Sequence, residues 1–377
     1  MRILVSFVFS SLLCMPLMAM DVQEKTTESQ LKKLFATAKS VCPTKLIEKF
    51  KWNPQGTHLA ITSLYERPFI LDVRNNSVSP MLCDEQYADE KYPADFIGDF
   101  AWNMDGTRLA ITTRKQTIFI VDVAKGLVTR KLQTPDSPPC GCQLGNQCTG
   151  LLTNAPVVAW SPNDATVLAC GFNGGINKRV SIPEETDSRI QALSTIDIAQ
   201  SPNVKWISGT IPTYGTGRPK GVAWQKNSGP AFAYEEGAWT EGVNLIPCHQ
   251  GQVASRASNA VACHPQEKIV ACAFKNPATI VIYSPDEKKV LHKADFTCNG
   301  PYPAPHHLSY SFDGHLLTSV HLDCLHTRDV KTLLTLHMHR LSTKRPRASA
   351  EWSPTRNQIA FTDNGQLFIT QESETSE

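Results

Sequence analysis

Short apolar runs, broken by tight polar turns, recur along most of the chain. Two of them belong to nearly the same phrase. "WNPQGTHLAI" from Trp52 and "WNMDGTRLAI" from Trp102 share seven of ten letters. Five weaker echoes begin at Trp160, Trp224, Cys263, Tyr310 and Trp352. The anchors are spaced by 50, 58, 64, 39, 47 and 42 residues, and five of the seven Trp sit at this one position. Each unit predicts the same elements. A short strand ends in the anchor, as in "FKW", "FAW", "VVAW" and "SAEW". A tight turn follows, in which Pro54, Pro162, Pro265 and Pro354 preset φ, Asp or Asn bonds locally, and Gly56, Gly106 and Gly314 supply positive φ. A second strand rich in small and β-branched residues comes next, such as "LAIT", "IVAC" and "IAFT". Most units add a third, such as "FILDV", "IFIVDV", "TIVIY" or "QLFIT", and "LVTRKL" at 127–132 reads as a fourth. The apolar runs are nearly continuous, so these strands should be covered on both faces.

Evenly spaced short strands define an all-β sandwich, barrel or propeller. A repeat of about 40 to 50 residues is the length of one four-stranded propeller blade. One blade cannot bury both faces, whereas a ring of blades can. The expected fold is therefore all-β, a seven-bladed β-propeller of four-stranded antiparallel blades over residues 46–371. The last unit stops after its third strand, so its outer strand should come from the N-terminal side, somewhere in 27–46. Residues 21–45 form an N-terminal segment. Leu31, Leu34, Phe35 and Ala38 give it a helical pattern, for a short capping helix or a tether. Residues 372–377 are a polar tail.

The "W-[SN]-P-x-G-x-x-[LI]-A" phrase and the hydrophobic-Asp strand ends, Leu71-Asp72 and Val121-Asp122, resemble the repeats of WD-repeat and Tol-type periplasmic β-propellers. The resemblance covers nearly all of the chain after the first twenty or so residues. It is specific for the fold and says little of function. Two marks of the WD repeat are missing, the Gly-His dipeptide before the first strand and the Trp-Asp ending of the third. The His-Ser-Asp-Trp hydrogen-bond network of such blades is therefore not expected.

Composition adds a compartment. Arg2 is the only charge before Asp21, and "ILVSFVFSSLLCMPLMAM" lies between them. Residues 1–20 read as a secretory signal peptide cut near Ala19, which predicts a periplasmic or secreted protein. An uncleaved anchor is the alternative reading. No later apolar run is long enough to span a bilayer. The net charge of +2 gives no reason to expect a nucleic-acid or membrane-surface partner. Of 12 Cys, 11 follow Cys14, and export would pair some of them and leave at least one over.

Candidate chemistry is sparse. Cys140, Cys142 and Cys148 form C-x-C-x5-C, a spacing that suits a disulfide-stapled loop better than a zinc knuckle. Cys170, Cys263 and Cys272 fall on strands and read as small buried hydrophobes. Seven of eleven His lie between His306 and His339, but at no standard ligand spacing, so they read as polar decoration of the ring's faces. No metal and no cofactor is implied. Nucleophile elbows, P-loops and dinucleotide fingerprints are absent. Four stretches exceed what blades need, 83–98, 133–155, 183–221 and 298–307. Loops of that length are commonly functional. Tyr87, Tyr92, Trp206, Tyr214, Arg218 and Tyr302 are the interaction candidates within them. Together these features predict an exported, monomeric propeller that acts as a scaffold for protein partners. The alternative is a propeller enzyme, lactonase- or lyase-like, with carboxylates or His from several blades converging on a central channel.

Overall fold

The structure is a computed structural model. It describes residues 28–41, 46–63, 68–81, 99–113, 117–133, 157–172, 176–181, 206–210, 219–225, 229–234, 237–240, 244–245, 258–275, 278–296, 304–342 and 348–371. A helix, α1, spans 28–36 and is followed by β1 (Lys39–Ser40). Blade one holds β2 (Ile47–Trp52), β3 (His58–Ser63), β4 (Phe69–Asp72) and β5 (Ser77–Pro80). Blade two holds β6 (Phe100–Trp102), β7 (Arg108–Thr112), β8 (Thr117–Asp122) and β9 (Leu127–Gln133). Blade three holds β10 (Val157–Trp160), β11 (Val167–Phe172), β12 (Ile176–Ser181) and β13 (Trp206–Thr210). Blade four holds β14 (Pro219–Trp224), β15 (Pro230–Tyr234), β16 (Gly237–Thr240) and β17 (Asn244–Leu245). Blade five holds β18 (Ser258–Cys263), β19 (Val270–Phe274), β20 (Thr279–Ser284) and β21 (Lys289–Asp295). Blade six holds β22 (His307–Tyr310), β23 (Leu316–Val320), β24 (Cys324–Asp329) and β25 (Thr335–Arg340). Blade seven holds β26 (Ala350–Trp352), β27 (Ile359–Asp363) and β28 (Gln366–Ile369), and its fourth strand is β1 from the other end of the chain. All seven sheets are antiparallel and four-stranded.

The first strands touch in series, β2 to β6, β10, β14, β18, β22 and β26, and β26 returns to β2. The ring is therefore closed, with these seven strands around its axis. The apolar runs are explained by the seams between blades. Leu59 and Ile61 of β3 pack with Ala360, Leu367 and Ile369 of blade seven. Ala60, between them, points the other way and packs with Trp102, Leu109 and Ile111 of blade two. Successive residues on a strand thus serve opposite seams, and both faces are mostly apolar.

The repeated phrase builds these seams. Trp102 Nε1 donates to the carbonyl of Lys51 at 3.0 Å, and Trp52 Nε1 donates to the carbonyl of Glu351 at 3.1 Å. In both cases the acceptor is the residue just before the previous blade's Trp. The Asn after each Trp closes its own turn. Asn53 Oδ1 accepts from the amides of Thr57 and His58, and Asn103 Oδ1 accepts from that of Arg108. The hydrophobic-Asp ends close the next turn outward. Asp72 Oδ1 accepts from Arg74 N at 2.8 Å, and Asp122 Oδ1 from Lys125 N at 3.0 Å. The bonds from the Asn75 and Arg74 amides hold the Asp72 carboxyl below its usual range, the Asn75 amide most of all.

Antiparallel alternation sorts the connections by face. First-to-second and third-to-fourth strand turns lie on one face of the ring, and second-to-third turns and blade-to-blade connections on the other. On the turn face, neighbouring blades clasp one another. Gln55 Nε2 donates to the Asp105 carbonyl at 2.9 Å, and Thr355 Oγ1 to the Gln55 carbonyl at 3.3 Å. His264 Nε2 lies 3.1 Å from the Gly314 carbonyl. Gly314 has φ +76°, and a Cβ there would collide with the His264 ring. Gly314→Ala should therefore cost about 2–3 kcal/mol, combining left-handed strain with a backbone shift. Urea unfolding checks this, and an unchanged midpoint would contradict it.

Helix α1 lies in the seam between blades six and seven. Leu31 and Phe35 are buried there with Val320, Leu325, Leu336, Trp352 and Phe361. Below it, Thr37 Oγ1 donates to the Gln371 carbonyl at 2.7 Å and accepts from the Gln371 amide at 3.0 Å. Lys39 then pairs with Ile369 and Ser40 with Phe368.

Candidate functional site

Two groups of polar side chains stand out against the apolar seams. The first lies on or beside the innermost strands. Lys49 and Lys51 come from β2, Asp99 immediately precedes β6, and Glu351 is on β26. Lys51 Nζ is 2.9 Å from Glu351 Oε1, and Lys49 Nζ is 3.6 Å from Asp99 Oδ1. Each carboxylate is also tied to backbone. Glu351 Oε2 accepts from Trp52 N at 3.3 Å, and Asp99 Oδ2 accepts from Val158 N at 3.2 Å. The four charges therefore link blades seven, one, two and three in sequence. Burial alone would lower the Lys51 ammonium, but the Glu351 carboxylate outweighs it and holds Lys51 charged, above its usual range. Burial pushes Glu351 up, and Lys51 offsets only part of that. Both lysine side chains are 44% exposed, so solvent screening limits each pair to roughly 1 kcal/mol or less. The arrangement aligns blades around the axis. It brings carboxylates from two blades inward, but each is engaged by a lysine and a backbone amide.

The second group is the histidine-rich part of blade six; His315 is exposed in a turn, as expected, but the other six rings are half-buried or buried, which corrects the expectation of surface decoration for them. His321 is buried at 3% exposure. His306 Nε2 lies 2.7 Å from the Ala348 carbonyl, and burial lowers its pKa against that bond. His307, on β22, is pushed down to about 3 by burial and then by Lys51, His306 and Lys49. His337 and His339, alternate residues of β25, both stack on Phe35, with ring centroids 4.8 and 5.0 Å away. Between blades five and six, His321 and His326 meet edge to face at 4.7 Å, and Cys324 Sγ is 3.1 Å from His326 Nε2. Phe296 lies against His321, and the Arg328 guanidinium sits 4.4 Å over the Phe296 ring. Burial, then Arg328, push His326 down to about 4. Among the described residues, no group of three or more His, Cys, Asp or Glu could hold a metal ion.

These imidazoles give the ring an acid limit. A histidine whose folded pKa lies below its unfolded value of about 6.5 favours folding in its neutral form. The contribution is full above pH about 6.5 and is lost as pH falls toward the folded values, about 4 for His326 and about 3 for His307. His306, His337 and His339 shift the same way. The melting temperature should fall steadily from pH 6.5 to 4. A flat profile across that window would contradict the assignment.

The candidates read from the sequence are distributed unevenly. Tyr87, Tyr92, Tyr214, Arg218 and Tyr302, with Cys140, Cys142 and Cys148, lie outside the described residues. All eight fall in blade-to-blade connections, whose described ends lie on the face opposite the clasped turns. Trp206 differs, because it opens β13 and pairs with Val180. The stretch 183–221 is thus not a single loop but encloses the fourth strand of blade three. "WISGT" is short and carries Gly209, so its strand pattern is weak. Cys170 and Cys272 are fully buried strand residues, and burial pushes both thiols, and that of Cys263, well above their usual range. The axial charges were missed. Their signal is a charge directly before the Trp, Lys51 and Glu351, on an otherwise apolar first strand.

Comparison with known proteins agrees with this architecture. The chain is similar to the β-propeller domain of Cps50 (Swd1) from Myceliophteria thermophila. The TM-score is 0.62 at 13% identity, over 88% of this chain and 98% of that one. It is also similar to a chain of the mitotic checkpoint complex, with TM-score 0.62 at 16% identity, over 89% and 93% of the two chains. Identity this low shows the fold alone, a β-propeller, in keeping with the seven four-stranded sheets. No family model and no curated protein matches the chain. Among the described residues, no helix is long and apolar enough to cross a membrane.

Proposed function

We propose that this protein is a binding propeller that holds a protein partner on the face carrying its blade-to-blade connections. The observation behind this reading is the asymmetry of the two faces. On one, first-to-second strand turns are hydrogen-bonded blade to blade, and the one long stretch assigned to it joins β12 to β13. The blade-to-blade connections start and end on the other, and more of the long stretches of sequence, 82–98 and 134–156 among them, fall between strand ends described there. A similar fold within a solved multiprotein complex supports the same reading. The apolar N-terminus at 1–20 favours export, to a periplasm or beyond, as for the Tol-type propellers that the repeats resemble. In that compartment Cys140, Cys142 and Cys148 would supply a disulfide staple to one of the connections.

The enzyme reading, lactonase- or lyase-like, has the converging Asp99 and Glu351 in its favour. Their engagement by Lys49 and Lys51 argues for alignment of blades instead. Cross-linking in the native host, with connections 82–98 and 134–156 each shortened, tests the proposal. The partner of the full chain should be lost from at least one shortened variant and kept by Gln55→Ala on the turn face. Retention by both shortened variants, with loss from Gln55→Ala, would place the partner site on the wrong face.

A further inference from the structure

Helix α1 is the one helix among the described residues, and it meets the ring through histidine. Phe35 is the hub of that contact. His337 and His339 stack on it, their planes tilted by 29° and 19°. Phe361 completes the cluster, 5.8 Å from Phe35 and edge-on to His339 at 5.0 Å. The two histidines are alternate residues of β25, the outermost strand of blade six, so both rings leave the same side of the strand. Beneath the helix lies an apolar seam that holds Leu325, Leu336 and Trp352. The seam is thus covered by a helix that rests on two titratable rings. His337 Nε2 is buried without a hydrogen-bond partner. A neutral ring can leave a bare lone pair there, whereas an imidazolium must place an N–H with nothing to accept it.

From this geometry we propose that α1 is an acid-loosened cover of the seam between blades six and seven, with His337 and His339 as its trigger. Burial is the largest reason that both rings stay below their ordinary range. The neighbouring charges divide. His339 and Lys32 of α1 oppose charge on His337, and Glu28 of α1 favours it. Glu28 is already paired with Lys32. Asp363 of blade seven favours charge on His339, but it also accepts from the Ser342 amide and hydroxyl. A cation is attracted to the Phe35 face, yet to reach it each imidazolium must shed water. Both rings bind protons less tightly when α1 is docked than when it is free. Docking is therefore fully favoured above pH about 6.5 and weakens as pH falls toward the docked values. Opening α1 breaks no sheet, because β1 stays paired with β28. Acid thus loosens the cover of a closed ring and lays open Leu325, Leu336 and Phe361.

The test is amide hydrogen exchange of the full chain, read as protection factors for α1 and, as a reference, for Leu59–Ile61 of β3. Protection of α1 should fall at least about tenfold between pH 7 and pH 5 and stay below that of β3 at both. The double variant His337→Phe, His339→Phe keeps two rings against Phe35 but cannot titrate, and its fall should be less than about threefold. Lys32→Gln is an exposed change that leaves the ring intact. It removes a charge that opposes protonation of His337, so it should lessen the fall. Protection of α1 that does not change with pH would overturn the proposal. So would equal protection of α1 and β3 at both pH values, because the helix would then open only with the ring. An undiminished fall in the folded double variant would overturn it too, and should that variant not fold, an undiminished fall in Lys32→Gln does so instead.

Discussion

A chain lacking residues 1–41 should not form the closed ring, whereas one lacking only 1–27 should. The first 41 residues include α1 and β1, and these complete blade seven. Without β1, the backbone of β28 becomes an open edge, a template for aggregation. Without α1, the seam between blades six and seven loses Leu31 and Phe35 and exposes Phe361, Leu336 and Leu325. Each buried side chain of this size is worth about 1.5–3 kcal/mol of transfer free energy. The combined loss approaches the whole stability of an ordinary domain, about 5–15 kcal/mol. The milder version is Phe35→Ala, which should cost about 3–5 kcal/mol. Size-exclusion chromatography and thermal melts read both. A monomeric 42–377 chain melting at the full-length temperature would show that the segment is a passive tether.

Trp102→Ala should be among the most damaging single substitutions, at about 3–5 kcal/mol, because it opens a cavity in the seam between blades one and two. Phenylalanine separates the two parts of that cost. Trp102→Phe keeps most of the apolar body and loses the bond to the Lys51 carbonyl, about 1 kcal/mol. The same exchange at Trp160 should have a different outcome. Trp160 Nε1 is buried with no hydrogen-bond partner, so Trp160→Phe removes an unsatisfied donor and should cost little or stabilise. Urea midpoints for the three variants test the ordering. Equal costs for Trp102→Phe and Trp160→Phe would mean that the indole bond contributes nothing to the seam.

The seams explain why the fold could be read from the sequence. Residues 59–61 face two different neighbours in alternation, so the chain must repeat an apolar run in every blade, and the repeat length then identifies the blade. The turn residues Asn53, Gly56, Asn103 and Gly106 were legible because each does its work locally, through a bond to its own turn or a positive φ. Features set by contacts between distant residues were not. The missing strand of the last unit signalled that one had to come from elsewhere, but a two-residue strand at Lys39–Ser40 has no pattern of its own. The pairing of Lys51 with Glu351, 300 residues apart, follows only from ring closure. Histidines in blade six looked like surface residues because imidazole is polar. Their burial depends on Phe35 and Phe296, which arrive from other parts of the chain.

The account rests on a ring closed by its N-terminal strand, and one cross-link tests that most directly. Ser40 lies opposite Phe368 in the β1–β28 pair, a placement suited to a disulfide. A Ser40→Cys, Phe368→Cys double variant, oxidised and digested, should give a linked peptide pair from within one monomer, and its ring should melt higher than after reduction. No such linked pair, in a protein that otherwise folds, would show that the ring is not closed by this strand.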